Sequence, residues 1–487
     1  MNYNAILMEI LTSILGILLL VMGLILPRGK KVIISYVSVF ALSAILILSF
    51  LNSGSDTSSF LNGLYVSDPL STYFKQIFLA AAILVTLMSI TYVKRLSDSR
   101  SEFFALSIFA LLGMMIMASS NDFITLYIGL ELMTISFIIL TAFDKLSLKS
   151  TEAGIKYVLL SAMSSAVLLY GMSLIYGMSG SLTYSGIFDY LKTGYTQPII
   201  ILAGIMLIAG IAFKISAVPF HMWSPDIYEG APTPITAFLA VGSKSAAFAV
   251  LIRLFIQVLP SVFNTFSALI IALSVLSMII GNIIAIHQTS IKRMLAYSSI
   301  SHAGYILLGI IAYTKAGIGA MLYYLLLYVF ANTGAFASII AFSNVTGNDD
   351  INDFSGMWKR SPFLAATLML SLLSMAGIPP SAGFIGKFYL FSEIIKQGYL
   401  WLAFLAMGMS VVSIYYYIVV IRVLLMGESV DASQDSSTDA SPDTSLIKIP
   451  ASLKAVMIVS IIMTLIMGIY PGPITSWVSK IAALFVR

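Results

Sequence analysis

With 487 residues, 59% of them hydrophobic and only 10% charged, and a mean hydropathy of +0.99, the chain is far more apolar than a soluble domain. Its formal charge of +5 is small for this length, and no basic run alternates with aromatics as a nucleic-acid groove requires, so nucleic acid is excluded as a partner. Cysteine is absent, which excludes disulfides, thiol chemistry and a cysteine-ligated iron–sulfur cluster.

Apolar runs of about 20 residues, each long enough to cross a hydrocarbon core of roughly 30 Å as a helix, recur along nearly the whole chain. They predict an all-α polytopic membrane protein with fourteen spans, at 4–26, 32–51, 70–93, 102–119, 122–143, 153–178, 198–221, 234–259, 265–287, 295–313, 317–343, 362–396, 400–426 and 453–470. The first run has no basic stretch before it and contains Glu9, so it reads as a retained helix rather than a cleaved signal. Segment 52–68 reads as a polar outer loop, and the Ser/Asp-rich segment 427–450 as a disordered cytoplasmic linker. Within one membrane domain the expected division is three N-terminal spans in 1–100, five in 101–260, five in 261–426, the linker, and the last span in 451–487.

Basic residues set the expected orientation. Odd-numbered connections carry Arg28, Lys30, Lys31, Lys94, Arg95, Arg100, Lys145, Lys149, Lys292, Arg293, Lys359, Arg360 and Lys448, whereas even-numbered ones carry only Lys75, Lys192, Lys315 and Lys396. The odd connections are therefore expected in the cytoplasm and both termini outside.

The seventh span is interrupted at Pro219 and the twelfth at Gly377-Ile378-Pro379-Pro380, and each has a lysine near its break, Lys214 and Lys387. Broken helices at matching places in two halves mark a repeated transporter unit with its path at the repeat interface. A separation of five spans reverses orientation, so the two five-helix repeats are expected to be inverted. Lys214 precedes its proline whereas Lys387 follows.

Four ionisable residues fall well inside predicted spans: Glu131, Lys214, Lys244 and Lys387. A charge at that depth costs about 2.5–3.5 kcal/mol on insertion scales, so these side chains should face protein or water and mark a function. Glu131 and Lys214 are expected to act as a pair whose proton affinity depends on their separation; the plainer alternative is a structural ion pair. Lys244 sits among small residues that leave room for close helix approach and water, and Lys387 lies about two turns past its break. His221, His302, Lys156 and Tyr305 are further candidates for proton relay, although Lys156 lies close enough to the cytoplasmic end of its span to snorkel. Asp226 and Glu229 read as solvated charges in a turn, and Tyr415, Tyr416 and Tyr417 as packing and interface anchors. No two histidines share ligand spacing with a carboxylate, and no nucleotide-binding motif occurs, so neither a metal nor a bound cofactor is expected on this chain.

The stretches PFHMWSPDIYEGAPTP with Lys214 just before it, SIKRMLAYSSISHAGYILLG and GIPPSAGFIGKFYLF resemble the antiporter-like membrane subunits of respiratory complex I, most closely the subunit N kind, called subunit 2 in mitochondria. The resemblance implies fourteen helices, two inverted five-helix repeats with broken helices seven and twelve, and a central polar axis at Glu131, Lys214, Lys244 and Lys387. It implies a proton-translocating subunit of an NADH:quinone oxidoreductase in the cell membrane, partnered by other membrane-arm subunits, with flavin, iron–sulfur clusters and quinone on those partners. An Mrp-type cation/proton antiporter subunit shares the repeat and the lysines and is the rival reading. The stretch VGSKSAAF around Lys244 departs from the family in lacking a proline before the lysine.

Overall fold

A computed structural model of the chain describes residues 3–51, 57–94, 99–192, 197–426 and 447–485. In chain order the helices are α1 (Leu7–Ile25), α2 (Val32–Leu51), α3 (Pro69–Tyr92), α4 (Arg100–Ser119), α5 (Phe123–Thr141), α6 (Leu148–Ser179), α7 (Tyr184–Lys192), α8 (Pro198–Lys214), α9 (Trp223–Gly230) and α10 (Thr233–Phe238). There follow α11 (Lys244–Arg253), α12 (Phe263–Ala285), α13 (Ile291–Ala312), α14 (Lys315–Thr346), α15 (Met357–Arg360), α16 (Pro362–Ala376), α17 (Ala382–Lys396), α18 (Leu400–Met426), α19 (Ala451–Ile469) and α20 (Gly472–Phe485).

Among the described residues, twelve helices are long and apolar enough to cross a membrane, counting Thr233–Val258, where α10 and α11 run on through π-helical turns, as one. The two expected spans that do not appear as one continuous helix are the two expected to be broken: 198–221 holds α8 followed by an irregular stretch, and 362–396 is divided between α16 and α17. Segment 57–68 contains a short antiparallel hairpin of β1 (Ser58–Phe60) and β2 (Tyr65–Ser67), with Ser58 opposite Ser67. Residues 52–56 of the expected outer loop, Arg95, and 427–446 of the expected linker lie outside the described residues.

Polar caps fix the helix ends. Asp68 and Ser71 form a reciprocal capping box at the start of α3, behind Pro69. Asp122 accepts from the Ile124 and Thr125 amides at the start of α5. The α6 helix begins at Leu148 rather than at 153, because Ser147 caps it by accepting from the Ser150 amide. Between α4 and α5 the backbones come close enough that a Cβ on Gly113 would stand 2.5 Å from the Met133 nitrogen, the close approach small residues permit between membrane helices.

Burial ranks the helices. The hydrophobic windows of α13 and α14 are each 94% buried, and that of the segment Thr233–Val258 is wholly buried, against 28% for α1 and 33% for α2, α18 and α19. Leu24, Phe40, Val411 and Ile469 on the outer helices face away from the protein, as lipid-facing side chains do. One group, α4, α5, α6 and α8 to α11, meets a second, α12, α13, α14, α16, α17 and α18, chiefly where α9 packs on α13 and α10 on α14. The α1 and α2 helices pack outside the first group, the more buried α3 also touches α14, α19 and α20, and α19 and α20 pack on α14.

Candidate functional site

The first break places Lys214 differently from expectation. It is the last residue of α8 rather than a mid-helix residue, because the chain leaves the helix at Ile215 and turns through Ser216, at φ 59°, before reaching Pro219. An ammonium at a helix C-terminus is favoured by the macrodipole, by about 0.3–1 kcal/mol in exposed settings and more in buried ones. Lys214 Nζ donates to Thr134 Oγ1 of α5 at 2.7 Å. The Thr134 hydroxyl gives its own hydrogen to the Leu130 carbonyl at 2.7 Å, so only an acceptor lone pair faces the lysine. Glu131 stands one turn earlier on α5, half-buried, with one carboxylate oxygen unpartnered within the protein. It acts on Lys214 electrostatically, but the two form no direct ion pair, because Thr134 holds the ammonium.

Lys244 begins α11, directly after a π-helical turn at Leu239–Ser243. That turn supplies the local irregularity for which the sequence offers no proline, and such bulges recur at functional sites. Lys244 Nζ donates to Ser299 of α13, at 2.7 Å to Oγ and 3.1 Å to the carbonyl. Ser299 Oγ in turn donates to the Ala296 carbonyl at 2.6 Å, repeating the arrangement at Thr134.

The second break resolves the apparent mismatch with the first. Lys387 lies on α17, after the break, yet its Nζ reaches back to the Ala376 carbonyl, the last of α16, at 2.8 Å and to Ser410 Oγ at 2.8 Å. Both lysines therefore set their ammonium at the C-terminal end of the first half-helix. Gly377 makes this possible: its φ is 86°, and a Cβ there would stand 2.9 Å from Lys387 Cδ.

Between Lys244 and Lys387 runs a buried polar chain. Ser298, beside Ser299, is hydrogen-bonded to the Tyr417 hydroxyl, which lies 3.2 Å from His302 Nε2. His302 Nδ1 meets the Tyr324 hydroxyl at 2.8 Å. The Tyr416 hydroxyl donates to Asn282 Oδ1 at 3.1 Å, Asn282 Nδ2 donates to the Tyr305 hydroxyl at 3.1 Å, and Lys387 Nζ lies 5.0 Å from the centre of the Tyr305 ring. Between Lys214 and Lys244 the described residues give no such chain. The Ser216 hydroxyl in the break is buried without a protein partner, and on α9 the Tyr228 hydroxyl stands beside those of Ser224 and Ser299; buried groups left short of partners are ordinarily solvated by internal water.

The remaining candidates separate. His302 and Tyr305 join the line, whereas His221 lies buried in the first break with Nδ1 unpartnered and bonds to none of the lysines. Lys156 is more than two turns inside α6, and its half-exposed ammonium pairs with Asp226 at 2.7 Å and Glu152 at 2.8 Å. Asp226 and Glu229, expected as solvated charges in a turn, lie on helix α9 in an ion-pair clamp. Arg293 reaches Asp226 at 2.9 Å and Glu229 at 3.0 Å, and Lys149 reaches Glu229 at 2.9 Å. Partial burial pushes both carboxyls up, but hydrogen bonds from Lys156 and Arg293 to Asp226, and from Lys149 and Arg293 to Glu229, outweigh it and hold both below the usual carboxylate range. The clamp ties α6, α9 and α13 together beside the first break.

Several polar residues escaped the sequence reading. Thr134, Ser299, Ser410, Asn282 and Tyr324 look like ordinary span residues, and Tyr416 and Tyr417 were grouped with Tyr415, which alone of the three is exposed. Lys75, counted in a connection, is fully buried in the second turn of α3 and pairs with Glu9 at 2.9 Å. Arg253, near the end of its span, is also fully buried, pairing with Asp68 at 2.8 Å and donating to the Ala118 carbonyl at 2.7 Å. Among the described residues no three His, Asp or Glu side chains are grouped to hold a metal.

Residues 120–413 match the family described as NADH:quinone oxidoreductase/Mrp antiporter, TM. NADH-quinone oxidoreductase subunit N of Moorella thermoacetica is 48% identical over 484 residues, covering 99% of each chain. NAD(P)H-quinone oxidoreductase subunit 2 of Synechococcus elongatus is 42% identical over 476 residues, covering 97% of this chain and 91% of the relative. Among solved structures, a chain of respiratory complex I from Thermus thermophilus superposes with a TM-score of 0.79 at 29% identity, covering 96% of this chain and 98% of that one. A chain of the Mrp complex from Dietzia superposes with a TM-score of 0.88 at 18% identity, over 100% of this chain and 98% of that one, a likeness of fold alone. On the matched domain and the full-length relatives, the chain belongs to the NADH:quinone oxidoreductase/Mrp antiporter transmembrane family, in its subunit N branch.

Proposed function

We propose that this chain is the proton-translocating N-type membrane subunit of a complex I-type NADH:quinone oxidoreductase, and that Glu131, Lys214, Lys244 and Lys387 carry the proton path. The observation that carries this reading is the row of buried polar groups between the two lysines: Lys244 on Ser299, the Ser298–Tyr417–His302 bonds beside it, and Tyr416–Asn282–Tyr305, whose last ring lies 5.0 Å from Lys387 Nζ. Such a row crosses the seam between helix groups 101–260 and 261–426, which we take as the two inverted repeats of a fourteen-helix fold. The chain itself carries no redox centre in this reading; flavin, iron–sulfur clusters and quinone belong to partner subunits, and other membrane-arm subunits flank it in the cell membrane. The basic connections lie in the cytoplasm and both termini outside.

The geometry suggests how the path is switched. Glu131 and Thr134 stand one turn apart on α5, and both are within reach of the Lys214 side chain. In the arrangement seen, Thr134 holds the ammonium and Glu131 is free of it. Redox chemistry elsewhere in the complex would move Lys214 between the two, changing the field on Lys244 and so its hold on a proton. Internal water at Ser216, Ser224 and Tyr228 would join Lys214 to Lys244, and the tyrosine–histidine chain would take the proton on to Lys387. Moving one charge against 100 mV requires about 2.3 kcal/mol, which corresponds to a change in proton affinity of about fiftyfold. The Mrp-type alternative shares the fold, but its 18% identity stands far below the 48% of the subunit N relative.

Lys214→Ala and Glu131→Ala test this reading. Each variant should leave the complex assembled and lower coupled quinone reduction severalfold. Full coupled activity in both would refute the switch. Copurification of the native assembly with sodium/proton exchange and without flavin or iron–sulfur subunits would favour the Mrp-type alternative instead.

A further inference from the structure

One buried carboxylate is not used by the path described above. Glu393 is on α17, six residues beyond Lys387 and so about 9 Å farther along the helix axis. It is only 8% exposed. It also lies in the last turn of α17, where its backbone carbonyl accepts from the Gln397 amide at 3.2 Å. Its one charged neighbour on α17 is Lys396, at 2.5 Å, whose own side chain is 65% exposed; from the turn before α14, the Thr314 hydroxyl approaches at 3.5 Å.

Glu393 lines a cavity of about 520 Å³ between the N-terminal end of α14, the C-terminal half of α17 and α20. Its wall is largely apolar but also carries Ser392 and Lys396 of α17 and Thr475 and Ser479 of α20. The α20 helix, packed on α14, closes one side of a mixed apolar and polar opening at the end of the protein where α17 finishes. A buried carboxylate on the helix that carries Lys387, lining an opening at the far end of that helix, stands where a proton leaving Lys387 would emerge.

We propose that this cavity is the outlet of the proton path and that Glu393 is its last protein relay. The step is a proton transfer alone: the Lys387 ammonium gives up a proton through water, leaving a neutral amine, and the Glu393 carboxylate becomes a carboxylic acid. That acid then releases the proton to the outer aqueous phase, and pairing with Lys396 restores the carboxylate. The proposal rests on Lys387 carrying protons, so the test includes Lys387→Ala in parallel.

The experiment measures quinone reduction and acid release by the whole complex in sealed vesicles. Glu393→Gln keeps the shape and hydrogen-bonding capacity of the side chain but cannot titrate; it should slow coupled turnover about tenfold, the effect of 1.36 kcal/mol on a barrier. Glu393→Asp should recover most of the rate. Ser479→Val, on the cavity wall and away from Lys387, should also slow turnover by removing one of the wall's few hydroxyls; it carries the test alone if Glu393→Gln does not assemble. If Lys387→Ala is slow while Glu393→Gln or, in its stead, Ser479→Val pumps as the parent does, the outlet is refuted and the path survives. If Lys387→Ala pumps normally, the path itself has failed. Equal slowing by Gln and Asp would mark Glu393 as structural and would also overturn the proposal.

Discussion

The contact between Lys214 and Thr134 offers a sharp test of the switch. In Thr134→Val the side chain keeps its shape and loses the oxygen that accepts from the Lys214 ammonium at 2.7 Å. A hydrogen bond to a charged group contributes about 1.5–3 kcal/mol, so the Thr134-bound arrangement should be depopulated by roughly ten- to 150-fold at about 1.4 kcal/mol per decade. Lys214 would then move toward Glu131, one turn away on the same helix. The hydroxyl's own bond to the Leu130 carbonyl is lost as well, but that carbonyl keeps its helical partner, so α5 should remain intact. Coupled quinone reduction and vesicle acidification, measured on the assembled complex, should fall about tenfold or more. Thr134→Ser, which keeps the oxygen, should recover most of the loss. Parental rates in Thr134→Val would refute the reasoning, because the ammonium would then need no acceptor on α5.

Other outcomes follow from the same geometry. Gly377→Ala should destabilise the second break by about 1–2 kcal/mol for the left-handed backbone alone and displace Lys387 besides; a lowered melting temperature together with slowed pumping would be the reading. Removing one member of the buried Glu9–Lys75 pair, as in Lys75→Met, should cost about 3–5 kcal/mol, whereas replacing both with apolar residues should recover much of that; thermal melts of the purified complex would check both. The clamp on α9 should respond to acid in a definite direction. Because the Asp226 and Glu229 carboxyls are held below their usual range, their contribution is complete above the unfolded values of about 4 and is lost only as pH falls through the lower folded ones. Stability that the clamp confers should therefore be flat from about pH 5 to 8, and Asp226→Asn should lose it at every pH in that window; an Asp226→Asn complex whose stability matched the parent at neutral pH would contradict this.

Much of the architecture was legible because lipid imposes its own rules. Runs of about 20 apolar residues and prolines beside buried lysines are hard to arrange in any other way; the second break occurs at Pro379-Pro380 as forecast, whereas the first begins at Ile215, four residues before Pro219. Helix ends were less legible where polarity hides them. The first turn of α6 reads Leu148-Lys149-Ser150-Thr151-Glu152 and passes for a loop, and α9 carries a proline that helices tolerate only in their first turn, which is where Pro225 sits. The α20 helix is amphipathic and short, so no hydropathy window marks it. At the site, charged residues stood out because charge in a membrane is rare, and their partners did not. Thr134, Ser299 and Ser410 are ordinary span residues until the fold brings a lysine to each. Tyr416 and Tyr417 differ from Tyr415 only in which face of α18 they occupy, and a three-residue run of tyrosine does not disclose that. The pairing of Glu9 with Lys75 bridges 66 positions, and no local pattern announces it.

The central claim is that protons cross the seam between the two helix groups through Lys244 and the chain behind it. The most direct measurement is the number of protons released per quinone reduced by the assembled complex in sealed vesicles, compared between the parent and Lys244→Met. The account predicts a lower ratio, or turnover too slow to acidify the vesicles, with the complex still assembled. An unchanged ratio at an unchanged rate would contradict it.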